Sequence, residues 1–319
     1  MKLILAIVLS LIAQAAQAQG YPNRPVRVII PYTAGGPADV LMRAMAQKLT
    51  EQWGQQVLVD NRPGANEMIA AEAVAKSPAD GYTLLLATDA VFSLNQQLYK
   101  KVPYDPVRDF TPLTRVVIAN MMMIARPDFP PKNVAEVIAY VKENPGKVNY
   151  ASVGAGGVVH LAMSWFNTLY GLKMEHVPYK GLVQALQDMT TSRVDIMLAV
   201  SGGAMPFVSA GKLKAYAVSG PNRIPIAQNV ATFTEAGFPA YEASFYFATA
   251  APAGLDPALA DRLAADFGKI IQSAEFRDKY LHNLGFEPVA ETPAQFSEYL
   301  KVDRESAAKR VKAAGVTLD

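Results

Sequence analysis

The sequence has 319 residues, a length typical of two domains with sizeable hydrophobic cores. It contains no cysteine, which excludes disulfide scaffolds, thiol nucleophiles and cysteine-ligated metal centres. Lys and Arg number 30 against 28 Asp and Glu, so no basic excess points to a nucleic-acid partner. The three histidines, His160, His176 and His282, lack metal-ligand spacing. We therefore predict no metal site and no nucleic-acid partner.

The N-terminus is typical of an export signal. Lys2 precedes a short apolar run, and Ala16 and Ala18 supply the small side chains of a cleavage site. We predict a signal peptide over residues 1–18 and a mature chain in the periplasm. A membrane anchor is the alternative, but the apolar run is shorter than the roughly 20 residues that cross a bilayer.

Apolar patterning predicts alternating strands and helices along the mature chain. A β-branched run at Val26–Ile30 precedes helical periodicity over Pro37–Trp53, and Gly54 stands where a C-cap glycine is expected. In the second half, a strand at Val148–Ser152 leads into a helix over Val158–Tyr170. Further predicted elements are strands at Val57–Val59, Tyr82–Ala87, Val194–Val200, Ala215–Ser219 and Phe245–Ala251, a helix at Ile69–Lys76, and a mostly helical portion from Pro257.

This alternation predicts an α/β fold of βαβ units, with largely parallel sheets covered on both faces. No Pro/Gly/Ser-rich linker separates two halves, so we expect strands near residues 116–125 and 245–251 to cross between the domains. The predicted domains are residues 19–120 with 250–319, and residues 121–249. The Met121–Met123 run is interpreted as core.

Two glycine-rich loops each join a predicted strand to a predicted helix, over residues 31–39 and 152–157. The free N–H groups of a helix start carry partial positive charge and suit an anion. For the first loop, a tight turn without a ligand is the alternative. Neither loop is a nucleotide motif, because Gly154 and Gly156 lack the third fingerprint glycine and the first loop has no Gly-Lys-Ser/Thr. We therefore predict no cofactor.

Two further loops are predicted after strands, over residues 88–93 and 201–204. Ligands of open α/β sheets bind beyond the carboxyl ends of strands, so our hypothesis is that all four loops converge in one interdomain cleft. Candidates for an aromatic wall of that cleft, each of which also fits a core position, are Tyr32, Phe92, Tyr179, Tyr246 and Phe247.

Catalysis is the competing hypothesis for the same loops. Ser152 or Ser201 with His160 and an aspartate would make a triad, but no GxSxG elbow is present. His160 lies inside a predicted helix, where it either contacts a ligand or packs against neighbours. We predict that the protein is not an enzyme.

Several segments, in consistent order from about residue 21 to the C-terminal helices, resemble the signatures of one family. The first is Pro31–Leu41, with its Ala-Gly-Gly-Pro and Asp. The others are Asn61–Ala65, Asp80–Leu85, Leu98–Pro106, Asn144–Lys147, Val177–Gly181, Ala210–Leu213, Thr234–Gly237 and Ala251–Gly254. The chain thus resembles the Bug-type extracytoplasmic receptors of tripartite tricarboxylate transporters.

The resemblance implies a two-lobed, type II-like periplasmic binding fold, whose lobes close on a small carboxylate. It implies no catalysis, and transfer of the ligand to membrane transporter subunits. We expect a monomer. In such receptors backbone N–H groups, hydroxyls and waters hold the carboxylate. Carried over by position, the ligand-binding residues are Tyr32, Thr33, Ala34, Gly35, Asp39, Thr88, Asp89, Phe92, Ser93, Ser152, Val153, Gly154, Gly156, Gly157, His160, Tyr179, Ser201 and Gly202.

The sequence departs from the family pattern at five places. Thr33 replaces a common Pro, Ala38 a common Thr, and residues 66–68 a Gly/Asn-rich stretch. Residues 201–203 replace an Asp-Asn-type segment, and residues 245–247 a Ser-Trp-Phe-type segment. A smaller, less acidic wall with added rings favours an aromatic mono- or dicarboxylate such as terephthalate. Aliphatic dicarboxylates and citrate-like acids remain open, as do a ligand-dependent signalling role and a hydrolase.

Overall fold

The structure, a computed structural model, describes residues 20–241 and 243–316. The predicted signal peptide lies outside the described residues. The strands of the described part are β1 (Val26–Ile30), β2 (Val57–Asn61), β3 (Thr83–Thr88), β4 (Phe110–Ala119), β5 (Met121–Ala125), β6 (Asn149–Ser152), β7 (Glu175–Pro178), β8 (Ile196–Val200), β9 (Lys214–Val218), β10 (Phe245–Pro252) and β11 (Phe286–Pro288).

The helices of eight or more described residues are α1 (Pro37–Trp53), α2 (Met68–Ala75), α3 (Val134–Glu143), α4 (Val158–Tyr170), α5 (Leu182–Thr190), α6 (Ser201–Ser209), α7 (Pro257–Gln272) and α8 (Pro293–Ala314). Shorter helical segments lie at Ala90–Leu94, Asn95–Leu98, Pro225–Ala227, Ala274–Phe276, Arg277–Leu281 and His282–Leu284. Across residues 20–241 and 243–316, no helix combines the length and apolar character that a membrane crossing requires.

The strands form two sheets, in the orders β11-β4-β10-β3-β1-β2 and β7-β6-β8-β5-β9. The prediction of an α/β fold with two sheets and flanking helices is confirmed. Both sheets are mixed, although the sequence predicted largely parallel ones. The parallel pairs come from βαβ units, whereas β5 and β10 run antiparallel to both of their neighbours. These two strands follow a change of sheet, so the crossings introduce four of the antiparallel pairs; the fifth joins β11 to β4.

The crossing from the first sheet to the second takes one residue. β4 ends at Ala119, β5 begins at Met121, and Asn120 lies between them. The chain returns between β9 and β10, and β10 pairs with the first sheet along its whole length from Phe245. The predicted domain boundary between residues 249 and 250 remains a prediction. In the structure, the chain has already rejoined the first sheet at Phe245, where β10 begins.

Local sequence explains the helices that border the cleft. α1 and α4 have the predicted bounds, because Pro37 occupies the first turn of α1 and Gly54 and Gly171 end the two helices in left-handed conformation. Their apolar faces are buried, and so is the Met121–Met123 run in β5, as predicted.

Two predicted loops are helical instead. The predicted loop at residues 201–204 is the first turn of α6, which follows β8 directly. Its glycines allow close packing: a Cβ at Gly202 would lie 2.4 Å from the Leu284 Cα atom. The second predicted loop, at residues 88–93, is the end of β3 followed by a buried helical segment, Ala90–Leu94.

Candidate ligand-binding cleft

A cavity lies between the two lobes, beyond the carboxyl ends of β1 and β8. Tyr32, Phe245 and Phe247 line one side of it, and Val153, Leu182 and Met197 are among its second-lobe residues. The Tyr32 and Phe247 rings meet edge to face, with centroids 6.0 Å apart. The cavity therefore offers a mainly apolar, partly aromatic surface to the body of a ligand.

Four helices begin at this cavity. The residues preceding α1, α4, α5 and α6 are Gly36, Gly157, Gly181 and Val200, and none of them caps its helix with a side chain. Gly36, Gly181 and Val200 line the cavity, as does Val158 at the start of α4. The first N–H groups of a helix have no intrahelical acceptor and carry partial positive charge. This end of the cavity is thus suited to an anion.

Asp39 fixes the conformation of the first glycine-rich loop through hydrogen bonds. Its carboxylate accepts hydrogen bonds from the Gly35 N–H (3.0 Å), the Arg43 Nε (2.9 Å) and the Asn61 Nδ2 (2.9 Å). Burial opposes ionisation of this group, but these hydrogen bonds hold the pKa of Asp39 below its usual range. The side chain therefore positions the loop, and the Gly35 N–H is already bound.

Glu67 is a buried acid next to the cleft residue Tyr32, and sequence reasoning missed it. It is 6% exposed, and its carboxylate accepts hydrogen bonds from the Thr88 N–H (3.0 Å), the Thr88 hydroxyl (2.5 Å) and the Tyr32 hydroxyl. Burial raises the pKa of Glu67, and the hydrogen bonds from Thr88 and Tyr32 act against that shift. The pKa of Tyr32 is raised as well, by burial and by the charge of Glu67. The signal that pointed here was the departure from the family pattern at residues 66–68.

The second lobe presents neutral imidazoles instead of acids. The His160 and His176 rings stack with centroids 3.8 Å apart and an angle of 11° between their planes. His160 Nδ1 accepts a hydrogen bond from the Gly156 N–H (2.8 Å), and His176 Nε2 lies 2.6 Å from the Ser152 hydroxyl oxygen. Burial and the neighbouring His176 lower the pKa of His160 to about 4, and burial lowers the pKa of His176. This cluster holds the second glycine loop in place.

The two lobes touch across the cleft. Asn66 Nδ2 donates to the Gly156 carbonyl oxygen (3.1 Å), and the Tyr99 hydroxyl donates to the Ala155 carbonyl oxygen (3.0 Å). Thr33 packs so closely on Gly181 that a Cβ there would lie 2.7 Å from the Thr33 Oγ1. The structure therefore represents a closed arrangement of the lobes.

A second and larger cavity lies between α4 and α8. Asp89 is buried on its wall and pairs with Arg310 (3.0 Å), while the Asp89 Oδ1 has no hydrogen-bond partner among the described residues. Arg310 also pairs with Asp303 (3.0 Å). Burial raises the pKa of Asp89 to about 7, with Arg310 opposing that shift and Asp303 adding to it.

The remaining predicted site residues lie at the first cavity, in the loops beside it, in the polar clusters, or elsewhere. Tyr32, Thr33 and Val153 line the first cavity, and Ala34, Gly154 and Gly157 lie in the glycine loops beside it. Ser152, Gly156, His160 and Thr88 belong to the polar clusters described above. Five predicted contacts are engaged elsewhere: Phe92 in the core, Ser93 with Asp303, Tyr179 with Asp188, Ser201 with the Asn120 carbonyl, and Gly202 against Leu284.

The site carries no grouping that suggests catalytic metal chemistry. Within the residues that the structure describes, no three acidic, histidine or cysteine side chains lie close enough to hold a metal ion. Ser152 pairs with His176 rather than with His160, and no carboxylate among the described hydrogen bonds orients either imidazole.

Residues 41–315 match the family described as "Tripartite tricarboxylate transporter family receptor". The chain belongs to this family. The protein BugT of Bordetella pertussis (strain Tohama I) is 31% identical over 308 residues, which cover 96% of this chain and 94% of BugT. The prediction of a Bug-type receptor is therefore confirmed. Because the family consists of transport receptors, the prediction that this chain is not an enzyme is confirmed as well.

Solved structures of similar receptors share the fold of this one. Rpa4515 of R. palustris, solved with adipate, superposes with a TM-score of 0.89 at 31% identity, covering 93% of this chain and 99% of that protein. MatC of Rhodopseudomonas palustris, solved with bound malate, gives a TM-score of 0.84 at 28% identity, covering 91% of this chain and all of that protein. The two-lobed binding-protein fold of this tripartite tricarboxylate receptor is thus shown.

Proposed function

We propose that this receptor works in the periplasm, captures a small carboxylate between its lobes and delivers it to the membrane subunits of its transporter. The observation that carries the proposal is the convergence of four helix starts without side-chain caps on one apolar cavity. A carboxylate would accept hydrogen bonds from the N–H groups at that end. The similar proteins solved with adipate and malate both hold carboxylates.

The body of the ligand would meet rings and aliphatic side chains. Tyr32, Phe245 and Phe247 supply an aromatic side, which supports our proposal of an aromatic carboxylate, with terephthalate as one candidate. Closure around such a ligand would shift the population of the receptor toward the closed arrangement, because the ligand contacts both lobes only there.

A ligand panel tests this proposal directly. Thermal unfolding of the chain from residue 19 should be followed with benzoate, terephthalate, hexanoate, adipate, malate and citrate. A ligand at 100 times its Kd stabilises the native state by about 2.7 kcal/mol. We expect at least one carboxylate to stabilise the wild type, with isothermal calorimetry giving its Kd.

A pair of tryptophan variants places the binding site. Val153 lines the cavity, so Val153→Trp should fill it and abolish the stabilisation by ligand. Val107→Trp is the matched control, since Val107 is 64% exposed on the surface of the first lobe. Absence of any carboxylate effect on the wild type contradicts the proposal. Equal stabilisation of both variants would place the ligand outside this cavity.

A further inference from the structure

We propose that Glu67 is a resident carboxylate: it occupies an anion-binding position of the cleft and thereby restricts the receptor to ligands with a single carboxylate. This inference rests on the proposed function and narrows it to monocarboxylates, so that terephthalate, which carries two carboxylates, becomes a disfavoured ligand. Three observations support it: the hydrogen bonds that Glu67 accepts, the left-handed backbone at Glu67, and the contact of Glu67 with Tyr32 in the cavity wall.

The donors around Glu67 are those that a bound carboxylate would use. A backbone N–H and two hydroxyls, from Thr88 and Tyr32, all point at its two oxygens. Hydrogen bonds from several such donors to one ionised carboxylate are short and strong. Thr88 is the last residue of β3, at the carboxyl end of a first-sheet strand, where ligands of α/β folds bind. The protein has therefore placed its own carboxylate in a ligand-like position.

The backbone that carries Glu67 is held in an unusual conformation. Ala65, Asn66 and Glu67 have φ angles of 46°, 47° and 71°, so three successive non-glycine residues are left-handed. Such strain persists only where surrounding contacts fix it, and it is concentrated at ligand sites. The contacts here are the hydrogen bonds of Glu67 together with those of Asn66 to Asn95 Oδ1 (2.7 Å) and to the Gly156 carbonyl. A strand-to-helix turn alone does not require this arrangement.

Glu67 meets the cavity through Tyr32. The Tyr32 hydroxyl is bound to Glu67, while the same side chain lines the cavity beside Phe247. A ligand carboxylate directed at Tyr32 would find its donors taken and an acidic group behind them. The starts of α4, α5 and α6, on the opposite lobe, remain for one carboxylate, whereas that of α1 follows the Tyr32 loop beside Glu67.

Juxtaposed like charges inside an interface cost several kcal/mol, and about 1.4 kcal/mol is a tenfold change in Kd. We therefore expect the wild type to bind a monocarboxylate at least about tenfold more tightly than the dicarboxylate with the same body. Calorimetry with two matched pairs, benzoate with terephthalate and hexanoate with adipate, measures that ratio.

Two variants of Glu67 test the cause of the preference. Glu67→Gly removes the resident carboxylate at a left-handed position that glycine tolerates, and Glu67→Gln removes only its charge. Both should reduce the ratio of the two Kd values to within about threefold. Glu72→Gln, which removes a partly exposed charge from α2, is the control and should keep the wild-type ratio. If one Glu67 variant does not fold, the other carries the test.

Each outcome is decisive for one of the two proposals. A wild type that binds the dicarboxylates as tightly as the monocarboxylates overturns the role of Glu67 and leaves the receptor proposal intact. A ratio that stays at its wild-type value in the folded Glu67 variants overturns it too. A wild type that binds no carboxylate of either kind overturns the proposed function, and the inference falls with it.

Discussion

The two walls of the cleft differ in the side chains that hold their strand-to-helix turns. Each wall must hold a strand-to-helix turn in place beneath the ligand. The first lobe uses buried acids, Glu67 and Asp89, and the second lobe uses the neutral stacked rings of His160 and His176. In the proposed function, helix starts rather than Lys or Arg side chains would receive the anion, so a cleft with one acidic and one neutral wall would still suit it.

The two walls should respond to acid in opposite directions. Asp89 has a folded-state pKa of about 7, above its unfolded value, so its contribution to stability is lost as the pH rises through that value. His160 has a folded-state pKa of about 4, below its unfolded value, so stability is lost as the pH falls below about 6.5. Substitutions that remove each group separate the two contributions.

The largest effect is expected on the acidic wall. In the wild type, Asp89 lowers the free energy of unfolding by about 2 kcal/mol between pH 5 and pH 7, because its carboxyl ionises freely in the unfolded state and resists ionisation while buried. Asp89→Asn should remove that dependence. Urea unfolding at pH 5, 6 and 7 measures it, with the exposed Asp278→Asn as control. A pH slope equal to that of the wild type would show that Arg310 fully compensates the charge of Asp89.

A smaller effect of opposite sign is expected on the neutral wall. Between pH 7 and pH 5, His160 gains a proton in the unfolded state but not in the native state. This should lower the free energy of unfolding by about 1 kcal/mol, after allowance for solvent screening at the cleft. His160→Gln should therefore reduce the decrease in the free energy of unfolding between pH 7 and pH 5. His282→Gln, at an exposed position, is the matched control. If both variants keep the wild-type profile, the stacked pair is not the source of acid sensitivity.

The smallest effect concerns the contact between the walls. Asn66→Gly keeps the left-handed backbone and removes the hydrogen bond to the Gly156 carbonyl. Because one net hydrogen bond stabilises by about 1 kcal/mol, the closed arrangement should lose population and the Kd for ligand should rise about threefold. Calorimetry measures the Kd, and small-angle scattering should show a more extended ligand-free protein. Unchanged values of both would mean that Asn66 serves the first lobe alone.

Capping residues in the sequence predicted the bounds of the helices that border the cleft. The sequence did not predict conformations that depend on packing between distant segments. The bounds of α1 and α4 follow from Pro37, Gly54 and Gly171, which act through their own backbone. In the sequence, Gly202 cannot be distinguished from such a turn glycine. In the structure it lies inside a helix and allows the backbone at Leu284 to pack closely against it. The strand β7 was missed, since its four residues carry no apolar run.

The site was predictable to the level of its loops. Helix starts and glycines indicated an anion cleft, and Tyr32, Thr33 and Val153 line the cavity. Phe92 and Ser93 were misplaced, because the helical segment after β3 turns them into the core. Glu67 could not be assigned from the sequence, because its role depends on donors from two other segments, Tyr32 and Thr88, that meet only in the fold.

The passage from β4 to β5 through Asn120 determines how the lobes can move. One residue offers only two freely rotating backbone bonds, and here both of its polar ends are bound: its carbonyl accepts from the Ser201 hydroxyl (2.9 Å) and its Nδ2 donates to Glu287 (2.6 Å). Sliding of one sheet past the other would stretch this link, whereas twisting about it would not. Of the relative movements of the two sheets, this link therefore favours rotation about an axis close to Asn120.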